Sequence, residues 1–399
     1  MPNRFNHKQT KVIEEMNKNA AELRNNHPFT SPSVISQGPI IGLGYRPPWR
    51  LGNICQARFA ARHGLNVMLA QQSAREIERT GRSFQDVIDS ATVSAFEAGL
   101  KLPWGADGDH LRNEKEVTAA ARAGCTHFTY DVSAELKEGF DAVADKVVKL
   151  YKLTRAINGA RKFTTEISLD EGETTTNIEE AVKLLAVLKG KRIVINEIAP
   201  RFPGYFEKAI DYYREIKNGK RINDPRDFEL YLRQIAEAGR KNNFRICIHS
   251  GSDKFTIYPI IARVLKSNFH LKTAGTYYLE DLKIVARHNL ALFSDINKFS
   301  FAQFEKDRAT YELSADPVKI PDLTKLSGGE IASLLQSGAG NDDLRQVLHV
   351  TYGSVLTARA PDNSTRFAEK IENILRANVG EYEKEMEAHL TRHFSPFFA

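Results

Sequence analysis

Short apolar runs that end abruptly in small or polar residues alternate along this chain with longer stretches whose apolar positions recur every three or four residues. The first pattern predicts buried strands and the second amphipathic helices. Strands are expected at residues 39–44, 66–70, 102–107, 126–131, 163–168, 192–197, 244–248 and 269–272. Helices are expected at 5–26, 51–63, 74–98 with a break near Gly81, 113–123, 133–157 and 228–241, with Gly64 as the C-cap of the second. The insertion 200–227 is expected to hold an extra helix over the mouth of the fold. Beyond residue 290 the pattern is helical only, at 295–312, 328–336, 342–356 and 365–393.

Strands alternating with helices imply βαβ units and a parallel sheet. Eight such units in about 250 residues match a TIM (β/α)8 barrel. The expected organisation is an N-terminal helical segment at 1–36, the barrel at 37–290, and a C-terminal helical extension at 291–399 packed on the barrel. An open doubly wound sheet is the other candidate, but no G-x-G-x-x-G opens a helix after a strand. Gly42-Leu-Gly44 is a fragment of that motif, and Pro47-Pro48 follow it.

Composition narrows the partners. With 42% hydrophobic and 27% charged residues over 399 positions, the chain reads as globular and soluble. No apolar run approaches the roughly 20 residues that span a bilayer, and the N-terminus has no apolar stretch of a signal peptide. Three scattered cysteines, Cys55, Cys125 and Cys247, suit reduced thiols in the cytoplasm. The net charge of +6, from 56 basic and 50 acidic residues, is spread out. That argues against a nucleic-acid partner, as the lack of a spanning run argues against a membrane; the surplus would suit a small anionic substrate, but solvated surface lysines are its plainer cause. A homo-oligomer is also left open.

In a barrel the chemistry sits at the C-terminal ends of the strands. Those ends carry Asp107, Asp109 and His110, then Asp131, Glu166, Glu197, His249, and His270 with Lys272. Imidazoles and carboxylates converging there can hold a divalent cation. The expected ligands are His110, Glu166, His249 and His270, a donor set suited to Mn, Zn, Co or Ni. The plainer alternative for each is a histidine bonded to backbone or a carboxylate in a structural ion pair, and Asp131 and Glu197 lean that way. Lys272, two residues from His270, shares its face of the strand. The residues Ser250-Gly-Ser252 could hold an anion with backbone N–H groups, or form a plain tight turn. His7, His63, His349 and His389 fall in helices and read as surface or packing residues. The residues alone thus point to a metal-assisted barrel enzyme acting on a small, polar molecule.

Four stretches go further: Leu69-Ala-Gln-Gln-Ser-Ala-Arg-Glu-Ile-Glu-Arg-Thr-Gly-Arg82, Gly105-Ala-Asp-Gly-Asp-His110, His249-Ser-Gly-Ser-Asp-Lys-Phe255 and His270-Leu-Lys-Thr-Ala-Gly-Thr276. In them the sequence resembles the tagaturonate epimerase family. The resemblance implies a metal-dependent isomerase that interconverts tagaturonate and fructuronate, which differ at C3. Related members act on the neutral ketohexoses fructose and tagatose. A metal-dependent aldolase or aldose–ketose isomerase is the enzymatic rival, and a non-enzymatic sugar-acid-binding barrel the non-enzymatic one.

C3 of a 5-keto uronate lies β to the carbonyl, so its hydrogen is not acidified. Retro-aldol cleavage of C3–C4 can invert it, giving an enediolate and an aldehyde that rotates before rejoining. Asp109 and Glu197 are the expected acid/base pair, and Lys272 a further catalytic group. Arg46, Gln72, Ser250, Ser252, Asp253, Lys254 and Thr273 are the expected substrate contacts, with Lys254 and Lys272 available to the carboxylate.

Overall fold

The structure, a computed structural model, describes residues 7–398, with side chains from residue 15 onward. The helix expected from residue 5 is seen as His7–Asn26, and its first two residues lie outside the described ones. Eight parallel strands close into a barrel: β1 Ile40–Gly42, β2 Val67–Ser73, β3 Trp104–Leu111, β4 His127–Asp131, β5 Thr164–Ser168, β6 Glu197–Ala199, β7 Arg245–Ile248 and β8 Phe269–Lys272. Pairing of Ile40 with His270 and Ile41 with Leu271 joins β8 back to β1. The TIM barrel expected from the sequence is therefore the fold.

Local chemistry sets the helix boundaries. Gly64 closes Leu51–His63 in the left-handed region (φ 66°). The break near Gly81 (φ 68°) separates Ala74–Thr80 from Phe84–Glu97, and both helices start on capping boxes, Ser73/Glu76 and Ser83/Asp86.

Two expectations are corrected. The sixth strand is not 192–197 but Glu197–Ala199. The Thr165 N–H is taken by the Asn196 side chain (2.9 Å) and the Thr165 hydroxyl donates to Val194 O (2.6 Å), so side chains replace ladder bonds ahead of Asn196, whose own N–H donates to Thr165 O (2.9 Å). Val194 is 58% exposed. The insertion 200–227 holds no helix; it carries an antiparallel hairpin, Glu215–Lys217 with Lys220–Ile222. Its turn is Asn218-Gly219, both at positive φ (51° and 71°), the geometry that an Asn-Gly pair favours between hairpin strands.

The C-terminal helices, from Leu290–Arg308 to Val379–Phe394, are built into the barrel's own core. One cluster of buried apolar side chains runs from Ile41 to Phe394. Asp253, just past β7, joins them to the barrel. Its Oδ2 accepts from Arg345 Nη2 (2.8 Å), and its N–H donates to His393 Nε2 (3.0 Å). Burial would push the Asp253 carboxyl up, but Arg345 holds it well below the usual carboxylate range. All three cysteines are buried and unpaired. Among the described residues no helix is long and apolar enough to cross a membrane.

Removing one partner of a fully buried ion pair leaves an uncompensated charge, so Arg345→Met should cost about 3–5 kcal/mol. Chemical denaturation reads this directly; an unchanged midpoint would show that Asp253 does not depend on Arg345.

Candidate active site

Aliphatic layers usually fill a barrel interior. Here the centre is charged. Lys272 Nζ lies 2.8 Å from Asp109 Oδ1, 3.0 Å from Asp107 Oδ2, 3.2 Å from Glu166 Oε1 and 2.8 Å from Thr129 Oγ1. Burial opposes every charge in this group. Lys272 nevertheless holds the Asp109 and Glu166 carboxyls well below their usual range, and Asp107 and Asp109 hold the ammonium well above its own. Gly42 makes room: a Cβ there would lie 3.1 Å from Lys272 Cα and 3.2 Å from His270 Nε2.

Below this centre is a sealed tier. Glu197 receives Arg245 Nη1 at 2.6 Å and His270 Nδ1 at 2.9 Å, and His127 Nε2 stands 3.4 Å from Glu166 Oε2. His127, Glu166, Glu197 and His270 are wholly buried, with ligand-type atoms close together. Despite burial, His127 and His270 bring the Glu197 carboxyl down to about 2.

Above the centre opens a cavity of about 360 Å³. His110, Asp170 and His249 meet on its wall. His110 Nδ1 is held by Asp109 Oδ1 at 2.8 Å, and its Nε2 faces Asp170 Oδ1 at 3.7 Å. His249 Nε2 is held by Glu166 Oε1 at 2.5 Å. Its Nδ1 lies 3.1 Å from Asp170 Oδ2 but outside hydrogen-bonding geometry. Each imidazole is thus anchored through one nitrogen by a carboxylate that the Lys272 centre keeps ionised, and turns the other toward Asp170. Burial opposes charge on both rings, yet Asp109 raises His110 well above its usual value and Asp170 raises His249 to about 9. The point between these three side chains attracts positive charge. Three non-glycine residues of the cavity wall, His110, Ala209 and Ser250, hold φ between 50° and 63°. Such strain persists where the surroundings over-determine the backbone.

The expected site residues divide in two. Arg46, Asp109, His110, His249, Ser250, Ser252 and Lys272 line the cavity; Glu166, Glu197, His270, Gln72, Asp253, Lys254 and Thr273 do not. Glu166 touches the cavity through His249 and Lys272, and Glu197 and His270 lie at the start of their strands instead of the end. Lys254 is wholly buried, its Nζ donating to Glu207 O, Ile210 O and Ser252 O at 2.6–2.9 Å. The Thr273 hydroxyl bonds Gly42 O and Tyr277. Gln72 is buried, and among the described residues neither of its amide atoms has a hydrogen-bond partner. The loop after β7 offers little backbone to an anion: Gly251 N–H donates to Lys272 O, Asp253 N–H to His393 and Lys254 N–H to Tyr258.

Sequence reasoning missed Asp170, Lys208 and His349. Asp170 lies two residues past Ser168, where the sequence correctly ended β5, and extending the strand-tip rule into the loop that follows would have found it. His349 meets Arg46 Nη1 at 3.3 Å from a helix read as packing. Lys208 carries no local signal.

Comparison with known proteins bears on this cavity. Residues 2–158 and 140–397 match the family model described as UxaE, tagaturonate epimerase. A Thermotoga maritima protein named tagaturonate/fructuronate epimerase is 31% identical over 381 residues, 83% of this chain and 75% of that protein. A glycerol-complexed crystal structure of fructuronate-tagaturonate epimerase UxaE from Cohnella laeviribosi matches with a TM-score of 0.82 at 29% identity, covering 96% of this chain and 86% of that one. Its native form matches equally well.

Without the Lys272 ammonium, Asp107, Asp109 and Glu166 would face one another uncompensated. Lys272→Met should cost about 3–5 kcal/mol at neutral pH. Crowded carboxylates have raised pKa values in the folded state, so stability falls as pH rises. The deficit against wild type should therefore be larger at pH 8 than at pH 5 in thermal unfolding with chelator present. A pH-independent deficit would mean the three groups are not ionised together.

Proposed function

The chain belongs to the tagaturonate epimerase family, and from that premise we propose that its cavity interconverts D-tagaturonate and D-fructuronate by breaking and remaking the C3–C4 bond. It is an epimerase, hence an isomerase. The reading with neutral ketohexoses is not favoured, because the curated relative and the solved neighbours are named for the uronates. Buried, unpaired cysteines support a cytoplasmic location.

One observation carries the chemical reading. Asp109 and Glu166 each hold one nitrogen of an imidazole, and the opposite nitrogens of His110 and His249 converge on Asp170. Carboxylates behind ligating histidines are how proteins orient such ligands. Two histidines and one carboxylate beside an open cavity fit a three-ligand catalytic site, and the donors suit Mn, Zn, Co or Ni. We therefore assign the cation to His110, Asp170 and His249, with Glu166 as an orienting group and His270 outside the ligand set. A divalent cation there supplies Lewis acidity for negative charge on a substrate oxygen.

Asp109 is the proton acceptor we assign to the C3 hydroxyl, because Glu197 lies sealed beneath the cavity. Loss of that proton lets C3–C4 break: C3 becomes an aldehyde and the bonding electrons pass through C4 toward the C5 oxygen. Rotation of the aldehyde about C2–C3 presents its other face, and the reverse steps return the proton to the C3 oxygen. Lys272, its ammonium within 2.8 Å of Asp109, keeps the carboxylate in place.

Product analysis by NMR on tagaturonate should give fructuronate and no accumulating three-carbon fragments; fragments as the main product would replace this reading with an aldolase. Chelation should abolish interconversion. Asp170→Asn should empty the site, and Glu166→Gln should weaken metal affinity about 10- to 100-fold. Full metal content in Asp170→Asn would move the site elsewhere.

A further inference from the structure

The cavity wall carries several cations, and all but one are matched. Arg46 pairs with Glu76, Arg75 with Glu171 at 3.0 Å, Arg201 with Glu312 at 3.3 Å, and Lys272 with its three carboxylates. Lys208 is the exception. Its Nζ donates to Ser250 Oγ at 2.6 Å, and among the described residues no carboxylate stands within ion-pair distance. Burial, and then Arg46, push its ammonium pKa below the usual value, the direction an unmatched cation takes.

The backbone around Lys208 is held from several sides. Lys254 Nζ donates to Glu207 O and Ile210 O, Gln346 Nε2 to Lys208 O at 3.1 Å, and Arg345 Nε to Ala209 O at 3.0 Å. Ala209 is fixed at φ 63°. The Glu207 side chain is occupied by Tyr213, Ser314 and Gln346. The chain thus uses buried side chains from the loop after β7 and from the helix Asp342–Val350 to immobilise the segment that carries one unpaired ammonium at the cavity. Removing a cation from water without a counter-ion is costly unless a ligand supplies the charge. Preorganising it beforehand lowers the cost of binding that ligand.

We infer that Lys208, with the Ser250 hydroxyl beside it, receives the carboxylate of an acidic sugar. The inference rests on the epimerase reading for the identity of that sugar. Ser250 directly follows His249, so the anion end of the substrate would lie next to the His110–Asp170–His249 cluster. In a 5-keto uronate C3 is midway between the C1 carboxylate and the C5 carbonyl. Holding the two ends at these neighbouring sites leaves the C3–C4 bond spanning the cavity between them. The residue that distinguishes a uronate from a neutral ketohexose is then Lys208, and Lys254 of the His-Ser-Gly-Ser-Asp-Lys stretch supports its segment from behind.

Calorimetric titration of the metal-loaded enzyme with a six-carbon aldonate and with the matching uncharged hexitol tests this. In Lys208→Met the aldonate should bind roughly 10- to 100-fold more weakly, the range for a lost charge-assisted hydrogen bond, with hexitol affinity changed less than about threefold. Lys208→Arg should keep most of the aldonate affinity, with metal content and thermal unfolding of both variants near wild type. Equal losses for acid and hexitol, or no loss for the acid, would overturn the inference. Uronate turnover by the wild type, measured in parallel, separates the two ideas. Lys208-dependent acid binding without epimerisation sinks the epimerase reading alone; epimerisation with Lys208-independent acid binding sinks this one alone.

Discussion

A single ammonium group in the barrel lumen is the constraint on which the rest depends. Lys272 reaches Asp107, Asp109 and Glu166 at once, all of them buried. Charges so deeply buried are tolerable only when paired and fully hydrogen-bonded. Because the lysine keeps Asp109 and Glu166 ionised, each is a pure acceptor, and each fixes the nitrogen of the histidine it touches. The direction in which His110 and His249 face is thus decided one layer deeper, by the charge balance at the barrel's centre. Gly42, with no side chain to intrude, is the steric condition for the same arrangement.

The C-terminal helices are part of that site in a physical sense. Arg345 neutralises Asp253 and holds Ala209, Gln346 holds Glu207 and Lys208, and His349 backs Arg46. The cavity-forming segment after β6 has little regular structure, so its main-chain acceptors need donors from elsewhere. Buried lysine, arginine and glutamine side chains supply them. Ala209, at φ 63° and held by Arg345, marks where these restraints outweigh local preference.

Much of this was legible in the chain itself. Alternating apolar runs and amphipathic stretches determine the (β/α)8 barrel, because strand and helix impose different periods on any segment that must bury one face. Gly64 and Gly81 mark helix ends for the same local reason. Asp109, His110, His249 and Lys272 could be picked out as cavity residues because barrel strands point their C-terminal ends at one mouth. The Asn218-Gly219 turn, whose two residues tolerate positive φ, is a hairpin signal that the expectation of a helix over 200–227 passed over.

Other features were decided only by tertiary structure. Depth along a strand depends on where its ladder begins, and β6 starts its pairing with Glu197 opposite Glu166 and Arg245, a register that puts Glu197 at the bottom of the barrel rather than the top. Lys254 and Lys208 look alike as residues; one is enclosed by three carbonyls and the other faces the cavity, and only the packing of distant segments separates them. His349 reaches the cavity from a helix far along the chain. Sequence determined which elements form and which end of the barrel bears the chemistry, since both follow from local periodicity. Which charge pairs with which was settled by contacts between residues tens to hundreds of positions apart, because a buried charge answers to whatever the fold sets beside it and not to its neighbours in the chain.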